Sequence, residues 1–340
     1  MPSQPEAANR TARAGLHPAV TLLIVSPVVG ELLSSSAPPA VFFIPGVFVL
    51  FVCLYGAGAL LIRELAVRWN RGWPSILLLG AAYGILEEGL AAKSFFDPHW
   101  RSLGLLGEHG RAWGVNWIWA LDLTLFHAVY SIALPILMVH LLYPGQRAHR
   151  WTSNRFLAGV GAVFALDLAL FFQKANAYAA PLLHYVAATG VAVLLVVAAR
   201  KWPQEPQPLL PPTAVSRWLF GLLGFAATAG LFLLIYGLPL LRFPAWVSLL
   251  FTLGTGGMVA GLLLKWTGNG RRWSTEQQFA LVSGTLGFWA LMAPLQEFNP
   301  TRSDRATGMT LVGIAAFILL FAAGRRIHRF ARYELRGAVN

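Results

Sequence analysis

Two adjacent glutamates, Glu87 and Glu88, lie within residues 73–96, a largely apolar stretch typical of a membrane-spanning helix. An ionised side chain at bilayer depth costs about 2.5–3.5 kcal/mol on insertion scales, so an intramembrane carboxylate indicates a functional site. Carboxylates and histidines without cysteine suit hydrolysis, in which a general base activates water. They also suit a divalent metal site with an open position, or the loading and release of a cation during transport.

Further ionisable residues of the first half interrupt other apolar segments and are predicted to lie at a similar depth, nearer the external face. These residues are Glu31, Asp122, His127, Asp167 and His184. Because lipid does not tolerate such groups separately, we expect them to converge on a cavity lined by protein. We predict that Glu87, Glu88 and His127 are catalytic and that the other four residues line the cavity.

The spacing of small residues predicts how the glutamates are enclosed. Gly80, Gly84 and Glu88 follow one another at intervals of four and share one helix face. Small residues on this face allow a neighbouring helix to approach closely. Pro135 lacks an N–H group and frees the carbonyl of Ser131, which predicts a kink in that helix.

The most polar external connection is predicted at residues 93–111, directly after the glutamate helix. It contains Asp97 and His99, separated by Pro98, and an Asp-Pro step favours a turn. One interpretation is a lid over the cavity. The other is an interfacial hairpin, anchored by aromatic residues, that has no part in the chemistry.

The composition places the chain in the bilayer. Hydrophobic residues make up 56% and charged residues 12%, against about 25% charged in a soluble domain. The net charge of +12 does not indicate nucleic acid, because the basic residues lie between apolar runs, where they set membrane orientation. We therefore expect lipid and not nucleic acid as the partner. The single cysteine, Cys53, excludes a disulfide within one chain.

The apolar runs predict an all-α, polytopic bundle of about ten transmembrane helices. The predicted spans are residues 17–36, 41–62, 74–95, 114–142, 155–173, 179–199, 217–240, 245–265, 276–296 and 307–324. All but seven of the 26 lysines and arginines fall on the side that holds both termini. The excess of basic residues marks the cytoplasmic side, so we predict a cell-membrane protein with both termini in the cytoplasm. Glu31 interrupts the first apolar run, which favours a retained helix over a signal peptide.

A proline-rich segment at residues 200–216 divides the predicted chain. A polar tail at 1–16 and a six-helix bundle at 17–199, which carries the polar site, precede it. An apolar four-helix bundle at 217–324 and a basic tail at 325–340 follow it. The last four helices either buttress the first bundle or form a homo-oligomer contact.

Three short motifs resemble a known family. EEGLAAK, which begins at Glu87, is followed by LTLFH, which ends at His127, and by a later histidine, His184. Together they resemble the glutamic intramembrane proteases of the CAAX-processing and bacteriocin-processing family. The resemblance implies that Glu87 or Glu88 is the base, with His127 and His184 as polarising partners. The chain departs from the family's pattern at Lys93, Leu123 and Ala188.

We therefore predict an intramembrane hydrolase, with a peptidase as the specific form. The alternatives are a proton- or cation-coupled transporter that uses the same carboxylates, and a non-enzymatic scaffold or sensor. A divalent metal at the carboxylate and histidine cluster is compatible with both the hydrolase and the transporter. Hydrolysis requires Glu88 and His127 to lie within about one water of each other, about 3–5 Å.

Overall fold

The computed structural model describes residues 16–174, 176–204, 210–300, 302 and 304–337. Almost all of the predicted N-terminal tail, the centre of the proline-rich segment and the end of the basic tail lie outside these residues. The described chain is nearly all helical, with one two-stranded hairpin. The predicted all-α membrane class is therefore confirmed.

Eleven helices follow in chain order through the described residues. They are α1 Pro18–Leu33, α2 Pro39–Phe42, α3 Pro45–Arg68, α4 with its two parts Trp73–Gly84 and Ile85–Ala91, α5 Trp117–Leu142, α6 Asn154–Lys174, α7 Leu182–Lys201, α8 Arg217–Leu240, α9 Ala245–Thr267, α10 Thr275–Glu297 and α11 Met309–Gly337. Short 3₁₀ turns occur at Gly104–Leu106 and Pro144–Gln146. The hairpin pairs β1 Arg111–Ala112 with β2 Val115–Asn116 in antiparallel register.

Eight of the described helices, α3 and α5 to α11, are long and apolar enough to cross a membrane. The first and third predicted spans also form helices, but α1 has only 16 residues and α4 carries both glutamates. A helix thus forms at each of the ten predicted spans. That all ten helices cross the membrane stays a prediction. The second span ends later than predicted, because α3 continues from residue 62 to Arg68.

Helices α1, α3, α4 and α5 form the centre of the bundle. A Cβ atom added at Gly80 would lie 2.8 Å from the Ala128 Cα atom of α5. One added at Gly84 would lie 3.0 Å from the Cβ atom of His127. The helix face that carries Gly80 and Gly84, which we name the glycine face, therefore lets α4 and α5 approach closely, as the glycine spacing predicts.

The later helices pack against this centre. One hydrophobic core joins Val29 of α1 and Leu134 of α5 to Val282 and Leu286 of α10. Helix α11 packs on α10 and α1. Helix α8 packs on α10, and α9 packs on the start of α5. In the described chain the last helices thus pack against the first bundle, while a homo-oligomer contact through them stays a prediction.

Each central helix contains a segment of π-helix, which is rare and often occurs at functional sites. The segments are Val28–Leu33 in α1, Val52–Gly56 in α3, Ile85–Ala91 in α4 and His127–Ala133 in α5. Pro135 follows the last of them, where the sequence predicts a kink. The freed carbonyl of Ser131 accepts a hydrogen bond of 2.7 Å from the Ser26 hydroxyl of α1.

Candidate carboxylate and histidine site

The imidazole of His127 lies between the two adjacent glutamates. Its Nδ1 atom is 3.4 Å from Oε2 of Glu87, and its Nε2 atom is 3.4 Å from Oε1 of Glu88. The π-helical segment of α4 presents both carboxylates to α5, and Gly84 leaves room for the histidine. One ligand atom from each of the three residues lies within 4.8 Å of the others, close enough to share a metal ion.

The two glutamates differ in accessibility and in their partners. The side chain of Glu87 is 3% exposed, whereas that of Glu88 is 15% exposed. The Ser94 hydroxyl donates to Oε2 of Glu88 over 2.5 Å, and Nε1 of Trp119 donates to the Ser94 oxygen over 3.1 Å. This chain of hydrogen bonds holds Glu88 so that its other oxygen, Oε1, lies beside His127.

Two tyrosines and a third glutamate complete the surroundings. Tyr55 donates a hydrogen bond to Oε1 of Glu31, and its ring centroid lies 5.8 Å from that of His127. The centroid of the Tyr83 ring lies 5.7 Å from that of the His127 imidazole, and the two rings pack edge to face. We name Glu31, Tyr55, Glu87, Glu88 and His127 the outer cluster, because they lie in the half predicted to face outwards.

The outer cluster has more acid than base. Three carboxylates surround a single imidazole, and Nδ1 of His127 also lies 3.1 Å from the Ser131 hydroxyl. Oε2 of Glu87 and the hydroxyl of Tyr83 are two of the buried atoms of the described chain that lack a hydrogen bond of ordinary geometry, although the hydroxyls of Tyr55 and Tyr83 lie within interaction range of the Glu87 carboxylate. Buried charge is costly unless it is paired and hydrogen-bonded. The arrangement is therefore suited to take up a proton, a cation or a polarised water molecule.

Asp122 lies beside the outer cluster but has a different partner. Its Oδ2 atom accepts a hydrogen bond of 3.1 Å from the Tyr236 hydroxyl of α8, and it remains within electrostatic range of His127 and Glu88. The described structure thus links Asp122, which the sequence predicts to line the cavity, to the second half of the chain.

Asp167 and His184 do not join the outer cluster. Asp167 is buried on α6 within electrostatic range of Cys53 of α3. Nε2 of His184 lies 2.8 Å from the carbonyl oxygen of Trp113 in the hairpin turn, and its ring packs on Phe96. Similar depth in the membrane does not fix the rotation of a helix, so the place of both residues in a shared cavity stays a prediction.

The outer connection is folded against the outer ends of the helices. Oδ1 of Asp97 accepts a hydrogen bond of 2.9 Å from the backbone N–H of His99, which closes the predicted Asp-Pro turn. Asp97 is buried and His99 is exposed, and in the described chain neither bonds to the outer cluster. Phe95 and Phe96, expected on the membrane surface, are buried instead. The contribution of this connection to the site comes from Ser94.

A second buried charge cluster occupies the opposite end of α3. Arg63 and Glu64 are both 0% exposed, although a pair spaced at i and i+4, such as Glu64 and Arg68, is typical of a solvated helix surface. Nη1 of Arg63 donates to Glu64 over 2.5 Å, and the Arg63 guanidinium carbon lies 3.5 Å from the centroid of the Trp151 ring. Arg68 donates to the other Glu64 oxygen over 3.1 Å. We name Arg63, Glu64, Arg68 and Trp151 the inner cluster.

Several residues of the outer cluster and its surroundings escape prediction from the sequence. Tyr55, Tyr83, Ser94 and Ser131 carry hydroxyl groups, which are common in membrane helices and do not mark a site on their own. What distinguishes Tyr55 and Ser131 is their position in π-helical segments, which only the three-dimensional structure reveals.

Comparison with known proteins identifies the chain at the level of a family. No curated protein and no solved structure matches it. The resemblance to glutamic intramembrane proteases at Glu87, Glu88 and His127 therefore has no support from these comparisons. A family model described as an uncharacterized membrane protein family matches residues 20–328, and the chain belongs to that family.

Proposed function

We propose that the protein is an intramembrane hydrolase in which Glu88 and His127 activate a water molecule. The observation that carries this proposal is the 3.4 Å separation between Oε1 of Glu88 and Nε2 of His127. A general base must reach the proton that it removes directly or through one water. A water molecule between α4 and α5 would meet both groups at once.

Glu88 suits the role of base better than Glu87. It is the more exposed of the two, and its hydrogen bond from Ser94 fixes one carboxylate oxygen while the other lies beside His127. Glu87 lies beside Nδ1 of the same imidazole and favours its protonated form. The two adjacent carboxylates thus have separate roles, one as the base and one as the support of the histidine.

The proposed reaction is the hydrolysis of an amide bond. Oε1 of Glu88 takes a proton from water, and the water oxygen forms a bond to the amide carbon while the carbonyl electron pair moves to oxygen. Protonated His127 stabilises this oxyanion by donating from Nε2. The C–N bond then breaks, and the leaving nitrogen takes the proton that Glu88 received. Apolar and aromatic surroundings favour a substrate segment that is itself apolar.

The test compares the full chain with two acid-to-amide variants in proteoliposomes. Release of new amino termini from a panel of quenched apolar peptides reports hydrolysis. General acid–base groups contribute about 10²–10⁴-fold, so we expect Glu88→Gln to lower the rate by at least about 100-fold. The matched control is Asp167→Asn, which neutralises a buried acid outside the outer cluster. Equal rates in the wild type and in Glu88→Gln would contradict the proposal.

Cation-coupled transport is the second candidate, favoured by the excess of carboxylates and by the three ligand atoms within 4.8 Å. In this role Glu87 and Glu88 would hold a proton or a divalent cation that crosses the membrane. Flux of H⁺ and Zn²⁺ into the same proteoliposomes measures it. Flux that both Glu87→Gln and Glu88→Gln abolish, without any peptide cleavage, would favour transport over hydrolysis.

A further inference from the structure

A concave basic site lies at the end of the molecule remote from the outer cluster, where the α3–α4 connection meets the end of α7. Arg71, Val197, Arg200 and Lys201 line it. Nε of Arg71 donates to the Arg200 carbonyl over 3.0 Å, and the buried Ser75 hydroxyl donates to the Ala199 carbonyl over 2.8 Å. These bonds fix the connection against α7, so the hollow is a built feature of the packing.

Among the described residues, three cations share this hollow without an acid that lines it. Within the described chain, Arg71, Arg200 and Lys201 form no ion pair with a carboxylate, in contrast to two other basic residues near helix ends. Arg217 lies 3.5 Å from Glu276, and Arg302 lies 2.7 Å from Asp304. Like charges gathered on one surface repel one another, so an external anion would relieve this repulsion.

The surface beside the cations is apolar and exposed. Val197 is 42% exposed and Trp202 is 43% exposed, and α7 presents further exposed aliphatic residues below them. Tryptophan and basic residues are enriched at membrane interfaces. The cations of the hollow therefore adjoin an apolar surface. This combination suits the charged headgroup and the acyl chains of a lipid, and not a small soluble anion.

We propose that this hollow binds the headgroup of an anionic phospholipid. The phosphate would lie among Arg71, Arg200 and Lys201, and an acyl chain would follow the exposed face of α7 past Val197. Basic hollows between membrane helices at the cytoplasmic side are suited to such headgroups. This end of the chain is the one predicted to be cytoplasmic, where anionic lipids concentrate. The proposal is independent of the proposed hydrolysis.

The experiment is native mass spectrometry of the detergent-solubilised full chain with phosphatidylglycerol or phosphatidylcholine. We expect the wild type to retain phosphatidylglycerol preferentially. A triple variant, Arg71→Gln with Arg200→Gln and Lys201→Gln, should lose about tenfold or more in affinity for it. The matched control replaces Arg217, Lys265 and Arg272 with glutamine, which removes the same charge elsewhere, and it should retain the preference.

Three results would overturn this proposal. One is equal binding of the two lipids by the wild type, and another is an equal loss in the triple variant and in the control, which would show a bulk effect of charge. The third is displacement of the lipid by an equal concentration of glycerol phosphate, which would show that the hollow takes a soluble phosphate compound. Thermal unfolding of each variant, measured alongside, shows whether a lost signal reflects a lost fold.

Discussion

The outer and inner clusters are both buried charge clusters at the ends of the same central helices, but they differ in how their charges are satisfied. In the inner cluster Glu64 accepts from Arg63, from Arg68 and from the backbone N–H of Trp151. Nη2 of Arg63 donates to three backbone carbonyls, which belong to Gln146, Arg147 and His149. In the outer cluster three carboxylates meet one imidazole.

This difference separates a structural role from a functional one. The inner cluster ties residues 143–153, which connect α5 to α6, to the end of α3. Buried ion pairs of this kind depend on complete hydrogen bonding to offset the loss of water. The outer cluster lacks that balance, and buried groups held in an unsatisfied arrangement are found where a ligand or a reaction completes them. Burial of charge alone thus does not identify a site, and neither does one unpartnered atom, because Nε of Arg68 in the inner cluster also lacks a hydrogen-bond partner. What distinguishes the outer cluster is its excess of carboxylates over cations.

The largest expected effect is on the inner cluster. Arg63→Met removes a buried cation and leaves the Glu64 carboxylate and three carbonyls with fewer donors. Removal of one partner from a buried pair typically costs about 3–5 kcal/mol of unfolding free energy. Thermal unfolding in detergent should show a large loss of stability, with much of the protein aggregating during purification.

The matched control for that variant is Arg217→Met. Arg217 forms an exposed pair with Glu276, and exposed pairs contribute about 0–1 kcal/mol. A comparable loss of stability in both arginine variants would show that the inner cluster is no more structural than a surface ion pair.

A smaller effect is expected from Gly80→Ala, which tests how closely α4 must approach α5. The added methyl group would lie 2.8 Å from the Ala128 Cα atom, so the helices must separate. Overpacking of this kind typically costs about 1–3 kcal/mol. The shift would also move His127 away from Glu88, and we expect hydrolysis to fall by more than the loss of stability explains.

The control is Gly159→Ala on α6, where no described atom lies within 4 Å of the added carbon. It should be neutral or slightly stabilising, because alanine favours a helix over glycine by about 1 kcal/mol. If Gly80→Ala had the same stability and the same hydrolysis rate as this control, the glycine face would have no part in positioning His127.

Tyr236→Phe tests whether the second half of the chain is coupled to the outer cluster. It removes the donor to Asp122, and a single hydrogen bond contributes about 0.5–1.5 kcal/mol. A double-mutant cycle with Asp122→Asn measures this coupling through thermal unfolding. Additive effects of the two substitutions would mean that α8 does not act on Asp122.

Much of the fold follows from the sequence, because the length and apolarity of a span are local properties. The seventh predicted span, residues 217–240, coincides with α8 Arg217–Leu240. The glycine spacing at Gly80 and Gly84 also predicts a close helix contact correctly, since a missing side chain has the same consequence wherever the partner comes from. Boundaries next to charged residues are less certain, as the extension of α3 to Arg68 shows.

The candidate site is predictable only in part, because rotation and local π-helical geometry are not encoded in periodicity. Glu31, Glu87, Glu88 and His127 meet, while His184 at a similar predicted depth lies at the hairpin turn. The burial of the inner cluster escapes prediction for a related reason. A pair spaced at i and i+4, Glu64 and Arg68, looks the same on a solvated helix as on one that a distant segment covers.

The smallest expected change in stability belongs to Glu87→Gln, and it gives the sharpest comparison of the two clusters. The substitution neutralises a buried carboxylate with one oxygen lacking a hydrogen bond, so we expect the unfolding free energy to stay within about 1 kcal/mol of the wild type or to rise. Glu64→Gln is the isosteric counterpart and should destabilise, because it weakens bonds from two arginines. Hydrolysis should be lost in the Glu87 variant and retained in any Glu64 variant that stays folded. Functional sites are commonly held at a cost in stability, and an equal loss of stability in both variants would mean that the outer cluster is satisfied as it stands.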